Sequence, residues 1–259
     1  MPDFLDVLAC DAKSTLATGY YEHSSKVIAA PASLRDAILQ SLHVPIIAEI
    51  KRASPSRGII NTDLSVEKVA LAMEKGGAIG LSILTEPKHF QGSLSNFVKA
   101  REATHLPTLM KDIIISTDQL DAAKRVGASA VLLIQTLYNR GYSELGIAEM
   151  IKEAHSRGLE VLLEAHNQEE FNHALLSDAD FVGINNRNLG TLTVDLNVTK
   201  TILENTSIDR KIVISESGIN KNIDIYFLSR CGANAFLIGS AIMSASNIES
   251  KVREFTMAL

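Results

Sequence analysis

Short apolar runs recur along the chain: IIAEI from Ile46, IGLSIL from Ile79, PTLMKD from Pro107, SAVLLIQ from Ser129, LEVLLEA from Leu159, FVGIN from Phe181, IVISES from Ile212 and AFLIG from Ala235. They are rich in Val, Ile and Leu and do not alternate strictly with polar residues, as expected of strands covered on both faces. Between them lie helical patterns such as SVEKVALAMEKGG from Ser65 and TDQLDAAKRVGAS from Thr117. Gly77, Gly127, Gly158 and Gly232 stand where such helices would stop. The strand-to-strand repeat is about 27 residues, the length of a βα unit. Eight such units predict an α/β fold, a (β/α)8 TIM barrel. An open doubly wound sheet would usually show fewer strands and a glycine fingerprint after the first, whereas Ile50-Lys51-Arg52 follows here. Residues 1–45 read as a helical N-terminal extension, with Ser33 to Asp36 as a capping box opening its second helix. The extension could close the bottom of the barrel or lie across its mouth. No linker or low-complexity tract divides the chain, so residues 1–259 are expected to form a single domain.

Composition narrows the classes of partner. Hydrophobic residues make up 46% and charged ones 21%, which excludes wholesale disorder. The formal charge of -5 argues against a nucleic-acid groove, which needs a basic stripe, but leaves room for a small anionic ligand. No apolar run approaches the ~18 residues that span a bilayer, so no membrane partner is expected. Cys10 and Cys231 are too few for a disulfide framework or a thiolate metal site, and the cytoplasm is the expected compartment. Asp3 and Asp6 stand where a secretory signal would carry Lys or Arg, so Leu8-Ala9-Cys10 only mimics a lipoprotein cleavage site.

In such a barrel the chemistry belongs where strands end and βα loops begin. The ends present Glu49 and Lys51, then Lys111, Glu164, Asn185 and Arg187, Glu216 and Ser217 before Gly218, and finally Gly239 and Ser240. Residues two apart on a strand share a face, so Glu49 and Lys51 point together, as do Asn185 and Arg187 while that strand lasts. Such a ring could be a structural ion-pair network, but burying so many charges without a ligand costs several kcal/mol unless each is paired. Ser217-Gly218 and Gly239-Ser240 follow the last two strands, a frequent phosphate position of the fold. Glycine lets backbone N–H groups approach an anion, and serine adds a hydroxyl. Arg187 suits a second anion, because guanidinium grips carboxylate in a fork. The ligand expected is thus a small molecule with a phosphate at one end and a carboxylate at the other.

The lysines could form a Schiff base or act as general acids beside the glutamates. Aldolase-type barrels most often carry the Schiff-base lysine on the sixth strand, where this chain has Asn185. The seven histidines are scattered, no metal is expected, and His166 reads as a loop or capping residue without a companion.

These residues sit inside strings that resemble indole-3-glycerol phosphate synthases, barrel enzymes of tryptophan biosynthesis. The strings are IIAEIKRASPSRGII (from Ile46), LTEPKHFQGS (from Leu84), LMKD (from Leu109), LLEAHN (from Leu162), GINNRNLGTLTVDLN (from Gly183), SESGI (from Ser215) and FLIGSAIM (from Phe236). They run in order from the first strand to the last. The resemblance implies a ring closure of 1-(2-carboxyphenylamino)-1-deoxyribulose 5-phosphate to indole-3-glycerol phosphate, carbon dioxide and water, with no metal or organic cofactor, by an enzyme that is often monomeric. It implies catalytic positions at Lys111, Glu164, Lys51, Glu49 and Asn185. Substrate contacts fall at Arg187, Glu216, Ser217, Ile113 and Phe90, and phosphate contacts at Ser54, Lys51, Gly218, Gly239 and Ser240.

The chemistry implied fits those residue types. Protonating the ribulose carbonyl makes it electrophilic, the aromatic carbon attacks, and the nitrogen becomes an iminium that lets carbon dioxide leave. Loss of the hydroxyl then needs an acid and a base. Lys111 is assigned the first proton, and Lys51, Glu49 and Glu164 share the dehydration, with Glu164 the favoured carboxylate. Which lysine acts at which step stays open. Many family members carry arginine before the third-strand lysine and phenylalanine two after it, where this chain has Met110 and Ile113. Met110 should point away from Lys111, and Ile113 should wall an apolar pocket without an aromatic edge. Two rivals remain: an isomerase of the phosphoribosylanthranilate type, which would want a cysteine and an aspartate, and a non-catalytic barrel that binds a phosphorylated metabolite.

Overall fold

A computed structural model of the chain describes residues 3–22, 32–51, 53–54, 58–59, 65–206, 208 and 211–259, with the backbone alone at 53–54 and 58–59. The strands in chain order are β1 (Ile46–Ile50), β2 (Ala53–Ser54), β3 (Gly58–Ile59), β4 (Gly80–Leu84), β5 (Thr108–Lys111), β6 (Ala130–Ile134), β7 (Glu160–Ala165), β8 (Phe181–Asn185), β9 (Ile212–Glu216) and β10 (Ala235–Ile238). Helices α1 (Phe4–Ala17) and α2 (Leu34–Leu39) precede β1. They are followed by α3 (Val66–Lys75), α4 (Leu94–Ala103), α5 (Thr117–Arg125), α6 (Gln135–Asn139), α7 (Ile147–Ser156), α8 (Gln168–Leu176), α9 (Asn197–Glu204), α10 (Asn222–Cys231), α11 (Ser240–Met243) and α12 (Ile248–Thr256). Strand β1 pairs with β4, and β4 to β10 follow in order until β10 returns to β1, closing a parallel barrel. The pair β2–β3 stands apart as a short antiparallel ribbon. The (β/α)8 expectation therefore holds, and each of the eight apolar runs contains one barrel strand. Among the described residues no helix is long and apolar enough to cross a membrane.

The lack of alternation in the sequence has the expected cause. Along β7, Val161, Leu163 and Ala165 pack in the layer between strands and helices, while Leu162 belongs to the barrel interior. Met110 on β5 faces the helices, as its parity required, and Leu109 faces inward. Both faces are buried, so both carry apolar residues until the last inward position of each strand. Gly77, Gly127, Gly158 and Gly232 all take positive φ at their helix ends, a conformation open to glycine at little cost.

The N-terminal extension does both things the sequence left open. Leu34 and Ile38 of α2 join the interior cluster with Ile47, Phe181 and Ala235, near the N-terminal ends of the strands. A Cβ on Gly80 would lie 2.7 Å from Leu34 Cδ1, so the absence of a side chain there makes room for this floor. Ser33 caps α2 by accepting from the Asp36 N–H (3.0 Å). The carboxylate that completes the cap comes from β7: Glu160 accepts from the Ser33 hydroxyl and from the Leu34 N–H (2.8 Å). Helix α1 lies instead over the mouth. Arg140 grips Asp3 and Asp6 (2.7 and 2.6 Å), and Lys88 holds Asp11 (2.7 Å), so loops after β6 and β4 fasten the roof.

The floor generates a prediction. Glu160→Ala removes a charged acceptor shared by a hydroxyl and a helix N-terminus, and should cost about 1.5–3 kcal/mol. Urea unfolding should show a lower midpoint with native near-UV dichroism at zero denaturant. An unchanged midpoint would mean that α2 is held by its apolar face alone.

Candidate active site

A cavity of about 540 Å³ opens at the C-terminal ends of the strands. It is lined by Glu49, Lys51, Phe90, Lys111, Ile113, Glu164, Asn185, Arg187, Glu216, Ser217, Gly218, Gly239 and Ser240. The residues singled out from strand ends and from sequence strings thus share one space. Ser54 is the exception: its side chain lies outside the described part of the structure.

The centre of this space is a buried cluster of opposite charges. Lys111 Nζ lies 2.7 Å from Glu216 Oε2 and 3.5 Å from Glu164 Oε2. Lys51 Nζ lies 2.7 Å from Glu49 Oε1. Three carboxylates therefore face two ammonium groups, and the carboxylates are almost wholly buried. Burial by itself would depress the Lys111 ammonium, but Glu216, Glu164 and Glu49 outweigh it and hold it protonated well above the usual lysine range. Glu49 is pushed up by burial and pulled further down by Lys51 and Lys111, so it stays ionised. Glu164 behaves alike, with Lys111, His166 and Asn185 overcoming its burial. Glu216 is the surplus carboxylate. Burial lifts it above the usual range against the pull of Lys111, the charges on Glu164 and Glu49 add to the rise, and its Oε1 has no hydrogen-bond partner.

Backbone choices make room for these charges. A Cβ on Gly183 of β8 would lie 2.4 Å from Glu216 Oε1, and one on Gly239 would lie 2.4 Å from Glu49 Oε1 and 2.9 Å from Lys51 Nζ. Any larger residue at either place would displace a carboxylate. Asn185 Oδ1 accepts from the Arg187 N–H (3.0 Å), which leaves its amide to donate to Glu164. Arg187 Nη1 donates to the Leu192 carbonyl (3.1 Å), which holds the guanidinium at the rim. Behind the strand ends, Asn186 donates to Ser215 Oγ (3.0 Å) and to the Glu216 carbonyl (2.9 Å), and accepts from Thr199 Oγ1 (2.7 Å). That buried network fixes the ends of β8 and β9 together, and with them Asn185 and Glu216.

The cavity has unlike ends. Near β9 and β10, Ser217 and Gly218 both take positive φ (65° and 86°), and α11 begins at Ser240 directly after Gly239. The first N–H groups of a helix have no partner within it, and Gly239 and Ser240 at the start of α11 line this end. Phe4 and Leu8 from α1, Phe90, Ile113, Leu132 and Ile134 supply an apolar wall. The arrangement suits a flat apolar ring beside an acid–base cluster, with an anion held at the glycine-rich end.

Several contributors were not foreseen. Phe4 and Leu8 read as the apolar face of any helix, and Leu132 and Ile134 as ordinary strand interior. His166 needs correction: it does have companions. Its Nε2 lies 3.1 Å from Glu164 Oε1 and its Nδ1 3.5 Å from Glu170 Oε2. The spacing of Glu164, His166 and Glu170 was the available signal, two apart on a strand and four apart into a helix. Asp112 was also missed. It accepts from Thr85 Oγ1 (2.5 Å), Tyr21 Oη (3.1 Å) and the Ile113 N–H (2.8 Å), and burial pushes it up to about 6. It ties the extension to the backbone that follows Lys111.

Comparison with known proteins identifies the family. The family model described as indole-3-glycerol phosphate synthase matches residues 9–255. An indole-3-glycerol phosphate synthase of Methanocaldococcus jannaschii is 43% identical over 216 residues, covering 82% of this chain and 78% of that protein. One from Desulforamulus reducens is 35% identical over 251 residues, covering 96% and 93%. Indole-3-glycerol phosphate synthase 2 of Ralstonia nicotianae is 39% identical over 216 residues, covering 83% and 78%. Among solved structures, a thiamine phosphate pyrophosphorylase from Pyrococcus furiosus superposes with a TM-score of 0.59 at 17% identity, covering 86% of this chain and 96% of that one. The N-acetylmannosamine-6-phosphate 2-epimerase of Clostridium perfringens gives 0.61 at 15% identity, covering 81% and 90%. The two structures speak to the fold alone. On the family model and these relatives, the chain belongs to the indole-3-glycerol phosphate synthase family.

Proposed function

We propose that the chain is an indole-3-glycerol-phosphate synthase, a carboxy-lyase of tryptophan biosynthesis. It closes the ring of 1-(2-carboxyphenylamino)-1-deoxyribulose 5-phosphate and releases carbon dioxide and water. The observation that carries this reading is Lys111, held protonated between Glu216 and Glu164 at the floor of a cavity with an apolar wall and a glycine-rich end.

The phosphate sits at Gly218, Gly239 and Ser240, with Lys51 beside it and Ser54 from the following loop. The carboxyphenyl ring lies against Phe90, Ile113 and the roof residues Phe4 and Leu8. Arg187 takes the ring carboxylate, and Glu216, Ser217 and Asn185 orient the sugar. Lys111 then points its ammonium at the ribulose carbonyl. As the aromatic carbon attacks, the carbonyl oxygen gains charge and takes the proton. The new iminium draws the electrons of the departing carboxylate, so decarboxylation uses a sink inside the substrate. Lys51, paired with Glu49, protonates the hydroxyl that leaves as water, and Glu164 accepts the proton that restores the indole. The roles are linked by charge. Once Lys111 gives up its proton, the charge that lowers Glu164 and restrains the rise of Glu216 is gone, and both become better acceptors.

Cys10 is exposed on α1 and Leu8 faces the cavity instead. A cysteine base of the phosphoribosylanthranilate isomerase kind therefore has no support here. The unpaired Cys10 and Cys231 favour a reducing compartment, the cytoplasm.

The direct test mixes the purified chain with the carboxyphenylamino ribulose phosphate and follows indole fluorescence against a protein that has no tryptophan. Indole product is expected, and its absence with folded protein rejects the synthase. Lys111→Met should lower kcat by about 10²–10⁴-fold with substrate binding largely retained; near-normal turnover would remove Lys111 from the chemistry. Arg187→Ala should weaken binding of the substrate by about 2–5 kcal/mol, measured by calorimetry. Unchanged affinity would refute its carboxylate contact.

A further inference from the structure

His166 follows β7 and is largely buried, with 13% of its side chain exposed. Capping of α8 does not need its ring, because Asn167 accepts from the Glu170 N–H (2.9 Å) and serves as the cap. The ring lies instead between two carboxylates, Nε2 at 3.1 Å from Glu164 Oε1 and Nδ1 at 3.5 Å from Glu170 Oε2. Both approaches are oblique to the N–H directions, so attraction is mainly between charges. Glu170 is itself fixed from two sides, accepting from the His166 N–H (2.8 Å) and from Thr136 Oγ1 (2.7 Å) on α6. The other oxygen of Glu164 faces Lys111 at 3.5 Å. Glu164 is therefore set between two cationic groups on opposite sides, one of which the reaction consumes.

We propose that His166, as an imidazolium, is a positioning residue for the reaction: it holds Glu164 ionised and turned toward Lys111, with Glu170 as its counter-charge from behind. A neutral imidazole has one N–H and would leave one of the two carboxylates facing a lone pair. The protonated ring has no lone pair and presents positive charge to both carboxylates. Burial pulls the imidazolium down, but Glu164 and Glu170 outweigh it and raise His166 to about 9. Among the described residues, those two carboxylates, from β7 and α8, are the charged groups that face the ring. Thr136 on α6 and Asn185 on β8 are neutral and touch the carboxylates, and Lys111 on β5 faces Glu164 from the far side. The consequence concerns timing. Lys111 stabilises Glu164 only while it keeps its proton. His166 remains charged throughout, so Glu164 stays in place as an acceptor after Lys111 has donated. This deepens the function proposed above and rests on Lys111 and Glu164 as its acid and base.

The test begins with the intact wild-type protein. The ¹⁵N shifts of the His166 ring should show both nitrogens protonated at about pH 8 and one titration near 9. A neutral ring at that pH overturns the proposal, whatever the enzyme's activity. In His166→Gln, kcat should fall about 10–100-fold with KM little changed, and the alkaline limb of the kcat profile near pH 9 should vanish. Glu170→Gln keeps the imidazole but removes its rear counter-charge, so the same limb should move to lower pH. A His166→Gln enzyme with wild-type kcat and an unaltered profile also overturns the proposal. Failure of the wild-type chain to make indole product would sink the activity, and the nitrogen titration would still decide whether the charged ring exists.

Discussion

The mouth is organised around Lys111 as the shared partner of two buried carboxylates, Glu164 and Glu216. Taking an ion out of water costs several kcal/mol even after relaxation, and the cost is offset only by close, well-directed partners. Glu164 and Glu216 both meet Lys111, while Glu49 meets Lys51 and feels Lys111 through space. The strand register determines this meeting. Ile134 lies opposite Glu164, Glu164 opposite Gly183, and Asn185 opposite Glu216 around the closed sheet. A slip of one residue in any of these strands would turn a charge into the apolar layer beneath the helices. The clefts left by Gly183 and Gly239 are as much part of the cluster as the charges, since the carboxylates of Glu216 and Glu49 occupy the space their side chains would take.

The floor and the roof isolate that cluster from opposite ends. Below, α2 contributes Leu34 and Ile38 to an apolar plug. Above, α1 contributes Phe4 and Leu8 to the cavity wall, buries Leu5, Ala9 and Ala12 in the same interior cluster, and is tied at its edges by ion pairs through Arg140 and Lys88. Exposed pairs contribute little stability and are screened by salt. Floor and roof are thus both bound mainly by burial, with the ion pairs as additions at the roof's edges.

The fold was legible because a parallel barrel imposes the same demand at every strand, apolar on both faces and about one strand per 27 residues. The charged residues were legible because polar groups at the inward ends of such strands break that demand. The rest of the cavity broke no rule. Leu132 and Ile134 are apolar where any strand would be, and Phe4 and Leu8 lie on a helix whose position no local pattern fixes. Asn186 sits beside Asn185 and looks like a second ligand, yet parity sends it to the other side, where it locks β8 to β9. His166 was hidden for another reason. Its two partners lie two and four residues away, but a strand followed by a helix start hides the shared face, and only Thr136, which holds Glu170, comes from a separate helix.

The same arrangement explains how one cluster can both donate and accept protons near neutral pH. A lysine enclosed by carboxylates is a weak acid at rest, which protects it from losing its proton to water. It becomes an effective donor only toward an oxygen that is turning into an alkoxide, a much stronger base than the carbonyl it replaces. In the proposed reaction, donation removes the positive charge of Lys111 that lowers Glu164 and restrains the rise of Glu216, so both become stronger bases once the proton has left. Because these groups interact strongly, their titration belongs to the set rather than to any one of them. The surplus carboxylate, Glu216, keeps the set one charge short of neutral pairing among the two lysines and three glutamates, and that imbalance gives a proton somewhere to go inside a site otherwise closed by apolar walls.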